Sequence, residues 1–212
     1  MRVLFLFLLC SLFLALSWYE GGEEHDGAVV GAAEKQIPNT QLVSTHEGLR
    51  KDSSGVLLYR EVPYSGYLLD LDSEGQVILR QGYFEGRLEG EILAYYASGA
   101  LRFKRPYRDG QKHGAHMAWY EDGQMKFLYH FDQGKSVGNH KEWYPDGSLF
   151  QDLNYQDGRP FGPQKIWRSD GKIRANYVIR ENGKRYGLMG IKRCTKIDGE
   201  KEEIDPYKGV EN

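Results

Sequence analysis

The sequence predicts an all-β chain, a single-layer twisted antiparallel meander of tandem 24-residue β-hairpins. Composition points there first: 26 Gly and 15 Tyr stand against only 7 Pro in 212 residues, as expected where a short aromatic strand and a glycine turn recur. Spacing makes the prediction specific. Gly66, Gly90, Gly114, Gly138 and Gly162 follow one another at intervals of 24 residues. A second series, Gly75, Gly99, Gly123, Gly147 and Gly171, trails the first by nine residues, and a third, Gly86, Gly110, Gly134 and Gly158, trails it by twenty. Registered periods of this length mark an array whose units bury their apolar faces by stacking on one another.

In chain order, Arg2 precedes an apolar run over residues 3–16, which is shorter than the roughly 20 residues a spanning helix needs. Ala15 and Ser17 supply small residues for a signal peptidase, so residues 1–17 are expected to be removed and the mature chain to begin at Trp18. The protein is then exported, to the periplasm, the envelope or the medium. An uncleaved membrane anchor and a lipoprotein formed at Cys10 are the alternatives, although Leu9 is bulkier than a lipidation site requires. Loss of the signal leaves Cys194 as the single cysteine and rules out an intrachain disulfide. Residues 18–54, rich in Gly, Glu and small side chains, read as a flexible spacer within which 37–47 docks loosely. Residues 56–62 form a strand that opens the sheet, and the array occupies 55–192 with units starting near 66, 90, 114, 138 and 162. A cap is expected near 186–192, and 193–212 form a polar acidic tail.

Within a unit, Tyr144-Pro145-Asp146-Gly147 combines a proline suited to the first central position of a type I turn with a glycine suited to the left-handed position that follows. That is a three-residue hairpin loop closed by a glycine bulge. The same loop in the third unit pairs Tyr120 with Gln124. A regular ladder beyond it gathers Met117, Trp119, Met125, Phe127 and Tyr129 on an apolar face and His116, Tyr120, Gln124, Lys126 and His130 on a polar one. Leu71, Tyr95, Trp119, Trp143 and Trp167 should run as a ladder on the apolar face, beside a row of Tyr83, Tyr107, Phe131, Tyr155 and Ile179.

The unit 114–138, with its Trp-Tyr pair, Asp-Gly turn, aromatic strand and closing glycine, resembles the bacterial variant of the MORN repeat. The segment Leu58-Tyr59 through Val62-Pro63-Tyr64-Ser65-Gly66 is similar to the opening of the YwqK-type antitoxin-like proteins. The resemblance spans roughly residues 55–190. It implies the same long meander of hairpins and carries little about activity.

The net charge of −2 conceals an uneven distribution. Residues 18–65 carry 4 basic and 8 acidic side chains, 66–193 carry 20 and 16, and 194–212 carry 3 and 6. A surplus of four spread over the repeat body is too dilute for nucleic acid, which calls for a concentrated basic face. No catalytic signature is present: there is no Gly-x-Ser-x-Gly elbow, phosphate loop, His-Glu-x-x-His or Cys-x-x-Cys, and the Asp-Gly pairs are turn chemistry. No cofactor is expected. The residues thus describe a non-catalytic, exported repeat protein offering a surface to an unidentified protein partner. Tyr96, Tyr120, Tyr144, Arg102, Lys104 and Lys126 are its candidate contacts, because exposed Tyr and Arg favour interfaces. One alternative is metal handling through His116, His130, His140 and Cys194, with the reservation that equivalent residues two strands apart lie about 9–10 Å from each other. Peripheral association of the basic body with anionic lipid is the other.

Overall fold

The computed structural model describes residues 35–190. The signal segment, the spacer over 18–34, Cys10, Cys194 and the acidic tail lie outside the described residues. All the regular structure is β: β1 (Gln41–Val43), β2 (Leu49–Lys51), β3 (Leu57–Tyr59), β4 (Val62–Pro63), β5 (Gly66–Leu71), β6 (Val77–Phe84), β7 (Arg87–Leu88), β8 (Gly90–Tyr95), β9 (Leu101–Arg108) and β10 (Gln111–Lys112). The series continues with β11 (Gly114–Trp119), β12 (Met125–Asp132), β13 (Lys135–Ser136), β14 (Gly138–Trp143), β15 (Leu149–Gln156), β16 (Arg159–Trp167), β17 (Ile173–Ile179) and β18 (Arg185–Leu188). One sheet follows the chain in the order β1-β5-β6-β8-β9-β11-β12-β14-β15-β16-β17-β18, with β7, β10 and β13 branching from the strands that precede them.

Each unit is a long hairpin followed by a short one. The long turn is the three-residue loop expected from its residues: the Tyr120 N–H donates to Gln124 O at 2.8 Å, the Gly123 N–H donates to Tyr120 O at 3.0 Å, and Gly123 has φ of 86°. The short turn is a two-residue loop with both central residues left-handed, as at Asp109 (φ 50°) and Gly110 (φ 79°), which matches the twist of the flanking strands. In the last unit this short hairpin is missing. The chain turns through residues 180–183 and returns as β18, paired along its length with β17.

Two parts of the N-terminal region depart from the sequence expectation. Residues 35–54, read as a spacer, contribute two strands, and β1 pairs with β5 in parallel, Gln41 opposite Tyr67 and Val43 opposite Leu69. The strand expected over 56–62 is broken by a tight turn at Arg60 and Glu61, both with positive φ, into β3 and β4. With β2 these form a separate three-stranded sheet. Leu57 of this sheet and the adjoining Tyr64 pack with Leu68 of β5 and Tyr83 of β6 in one buried cluster, with Leu42, Leu49, Tyr59 and Leu88 around it. This small sheet stands where a preceding unit would: the Leu57 N–H donates to Gly86 O at 2.8 Å and the Gly86 N–H to Tyr64 O at 2.7 Å. It caps the array by occupying the backbone groups of the first short turn.

The register of the long hairpin differs from the regular ladder in one respect that reorders both faces. Trp119 pairs with Met125 as expected, but Ala118 pairs with Phe127, so Lys126 is bulged out of the ladder. The same shift recurs at Asp70/Leu71, Ala94/Tyr95, Glu142/Trp143 and Ile166/Trp167. A one-residue shift moves every subsequent side chain to the other face. Phe127, Tyr129 and Phe131 therefore lie with His116 and Ala118, while Met117, Trp119 and Met125 lie with Leu128 and His130. The apolar residues of the third hairpin are thus divided between a tryptophan face at its tip and a histidine face toward its base, and in the first and fifth units the tip residues Leu71, Val77 and Ile173 are exposed.

Candidate functional site

The histidine face holds the best-buried row of the array, two residues after each leading glycine: Leu68, Ile92, His116, His140 and Gln164. His116 is 3% exposed, His140 5% and Gln164 1%. The expectation of solvated histidines on a polar face is thus corrected, and the bulge at Lys126 is the reason. Each polar member of the row stitches its unit to the previous one. His116 Nε2 donates to Pro106 O at 2.8 Å, His140 Nε2 to His130 O at 2.8 Å, and the Gln164 amide to Asn154 O at 2.8 Å. The acceptor is a carbonyl in each case, so both imidazoles carry their proton on Nε2. They alternate with the aromatic row in one column, Tyr107–His116–Phe131–His140–Tyr155, with centroid separations of 5.4, 4.6, 5.5 and 4.4 Å.

Burial governs the titration of these rings. Desolvation pushes the His116 imidazole down to about 4, and Arg105 and Lys112 act in the same direction. His140 is also held below the ordinary histidine value by desolvation, with His130 adding to the effect. Glu142, two residues along the strand from His140, is raised by burial although the Gln151 amide donates to it at 2.7 Å. No sequence signal singled out Glu142.

The candidate metal ligands are not brought together. His130 lies on the tryptophan face, where its Nδ1 donates to Asn139 O at 2.7 Å, and His116 and His140 face the other way. Among the described residues no group of three His, Cys, Asp or Glu side chains is placed to hold a metal ion.

Of the candidate contact residues, five share one edge of the histidine face. In the third and fourth units the tyrosine that opens the long turn packs near the bulged residue: Lys126 Nζ sits 5.3 Å from the Tyr120 ring centroid, and the Tyr144 and Phe150 rings are 5.0 Å apart. Tyr96 and Arg102 hold the same positions one unit earlier and line a common recess. The three tyrosine hydroxyls also bind the next unit: Tyr96 donates to Trp119 O at 2.9 Å, Tyr120 to Trp143 O at 2.8 Å, and Tyr144 to Trp167 O at 3.1 Å. Their rings border the surface, but their polar atoms are committed to the array. Lys104 is separate from this edge: it lies on the tryptophan face, opposite Leu93, and forms an ion pair with Glu91.

The recess lies between the second and third units and is lined by Tyr96, Arg102, Phe103, Arg105, Ala118, Trp119, Lys126 and Phe127. Its volume is about 110 Å³. The Arg105 guanidinium is stacked 4.1 Å from the Phe103 ring centroid and 5.7 Å from that of Phe127, and Arg102 lies 5.7 Å from Phe103. Arg102 and Lys126 stand out in the sequence as candidate contacts and Arg105 does not, since a regular ladder gives no way to place it beside them.

Three segments of the chain, residues 88–109, 112–133 and 136–157, match the family model described as the MORN repeat variant. Each runs from the short strand of one unit through the next long hairpin to its short turn. The first and last units, altered by the capping sheet and by the loss of the short hairpin, are not among them. No curated protein matches the chain.

Proposed function

We propose that this protein is a non-catalytic, exported repeat array whose histidine-face edge binds a partner protein. MORN repeats generally serve as protein or lipid interaction modules, which favours contact over chemistry as the work of the array. The observation that carries the reading is the division of labour among polar groups. Groups suited to catalysis, His116, His140 and Gln164, are consumed in stitching the units, and no buried side-chain polar atom among the described residues lacks a hydrogen-bond partner. Arg102 and Lys126 remain accessible beside the rings of Tyr96, Tyr120 and Tyr144 along the hairpin tips, a pattern that suits an interface. The apolar run over residues 3–16 supports export.

The test is affinity capture with the full-length tagged protein from its source cells, run in parallel with an Arg102→Glu/Lys126→Glu variant and with Lys165→Glu on the other face. The expected result is a stoichiometric partner retained by Lys165→Glu and lost with the double variant. A partner retained equally by all three, or binding to anionic vesicles in place of any protein, would overturn the assignment of this edge to a protein interface.

A further inference from the structure

In a repeat protein the common features of the units account for the fold, so the places where one unit departs from the rest are the informative ones. Three departures coincide at the recess between the second and third units. The bulged position reads Ile78, Arg102, Lys126, Phe150 and Arg174 along the array, so consecutive cations occur only here. Three residues further on the series is Gln81, Arg105, Tyr129, Leu153 and Tyr177, and its single cation falls in the same recess. The long turns read Asp-Ser-Glu-Gly, Tyr-Ala-Ser-Gly, Tyr-Glu-Asp-Gly, Tyr-Pro-Asp-Gly and Arg-Ser-Asp-Gly, and the turn above Arg102 is the one without a carboxylate.

The cations are preorganised and not neutralised. Arg105 is held over Phe103, and Lys126 is held against Tyr120. None of Arg102, Arg105 and Lys126 forms an ion pair among the described residues, whereas Lys104 and Lys141, on the opposite face, pair with Glu91 and Asp152. The half-buried Glu142 is the carboxylate that senses Lys126, without reaching ion-pair distance. Ala118 pairs with both Phe103 and Phe127, so its small side chain lies between the strands that carry the two rings, and the Arg105 guanidinium stands against both of them. The result is a pocket with three positive groups, Arg105 and Lys126 held against rings and Arg102 exposed beside them, and two aromatic rings in its wall.

Resting on the interaction-surface reading above, the geometry points to this recess as the docking site for an acidic peptide segment of the partner: a short motif with one or two carboxylates beside an apolar side chain. The carboxylates engage Arg102, Arg105 and Lys126, whose planar or compact donors suit them, and the apolar side chain packs on the aromatic wall beside Arg105. An extended polyanion fits less well. The hairpin tips along the same edge carry Glu121, Asp122 and Asp146, and the Ser98 hydroxyl of the turn above Arg102 donates to Glu121, so carboxylates flank the recess and repel a uniformly negative membrane surface.

The test uses the full chain and a fluorescein-labelled octapeptide of alternating Glu and Leu, read by fluorescence anisotropy. Saturable binding is expected, weakened at least tenfold when the peptide's Glu residues are replaced by Gln, weakened at least tenfold by Arg102→Glu/Lys126→Glu, and unchanged by Lys165→Glu. Circular dichroism of the double variant, whose two substituted residues are both exposed, checks that its fold is kept. Absence of saturable binding, binding indifferent to the double variant, or recess-dependent binding to phosphatidylserine vesicles with none to the peptide each overturns the proposal. If the peptide fails while cell-derived partner capture still depends on Arg102 and Lys126, the interface stands and only its acidic-peptide assignment falls.

Discussion

At the scale of single residues, the central feature is a pair of histidines used as neutral hydrogen-bond donors inside a column of rings. The unfolded imidazole takes its proton near pH 6.5, whereas folded His116 resists protonation down to about 4. Between these values the unfolded chain binds more protons, so stability is complete above about pH 6.5 and is lost as pH falls through the window. His116 alone accounts for a loss on the order of 3 kcal/mol, and His140 adds to it in the same direction. Gln164 fills the equivalent place in the fifth unit with a donor that does not titrate. A His116→Gln/His140→Gln variant is therefore expected to stay within about 1 kcal/mol of the parent at pH 7 and to show a flatter decline in urea unfolding between pH 6.5 and 4. An undiminished acid slope would count against the column. The row itself was open to recognition in the sequence: its first two members are Leu68 and Ile92, so His116 and His140 occupy positions that the earlier units fill with aliphatic core.

At the scale of elements, the units are joined by short ladders reinforced by side chains. The second and third units meet in only two register pairs, Met117 with Lys104 and Ala118 with Phe103, whereas each long hairpin zips along its length. The tyrosine hydroxyls supply part of the remainder. Tyr120→Phe and Tyr144→Phe are each expected to lower unfolding stability by about 1 kcal/mol, measured by urea titration, and to combine nearly additively because they act at different unit boundaries. The short turns stack in parallel with these stitches, the Gly134 N–H donating to Lys112 O at 2.9 Å. At Gly86 the stacking partner is the capping sheet, and an added Cβ would lie 2.7 Å from Leu57 O; at Gly134 the nearest atom is 3.9 Å away. Both glycines are left-handed, so alanine strains either, but Gly86→Ala is expected to lower the melting temperature more than Gly134→Ala. Equal effects would indicate that the small sheet does not dock on the first turn. Turn types were legible because glycine and Asp-Gly are demanded by backbone conformation. The bulge was not, because the odd-numbered alternation on each strand of the third hairpin is the same with or without it, and only the pairing between strands changes.

For the whole molecule, this alternation in register decides what faces solvent. A regular ladder would have put the histidines outside and the Phe103 and Phe127 rings with the tryptophans; the bulged one buries the histidines and collects Arg102, Arg105 and Lys126 around those rings. The architecture was legible from glycine spacing alone, since a 24-residue period admits few alternatives. The candidate recess was legible only in part: Arg102 and Lys126 stood out as cations of the repeat, whereas the placing of Arg105 beside them and of Lys104 on the opposite face required the fold. The capping sheet built from 41–63 was hidden for a different reason: its strands are two or three residues long and leave no periodicity. Export makes a separate expectation. Mass spectrometry of the protein recovered from the envelope or medium should give a chain beginning at Trp18, and an intact Met1 would favour an anchored form.

The recess, the stitches and the buried column all depend on the bulged pairing of Ala118 with Phe127, and one measurement tests that pairing without disturbing it: an NMR pH titration of the imidazole resonances in the full-length protein. His116 is expected to titrate near pH 4, far below an exposed histidine. A His116 that titrates near 6.5 would place it in solvent, restore the regular ladder, and dissolve the recess on which the proposed interface rests.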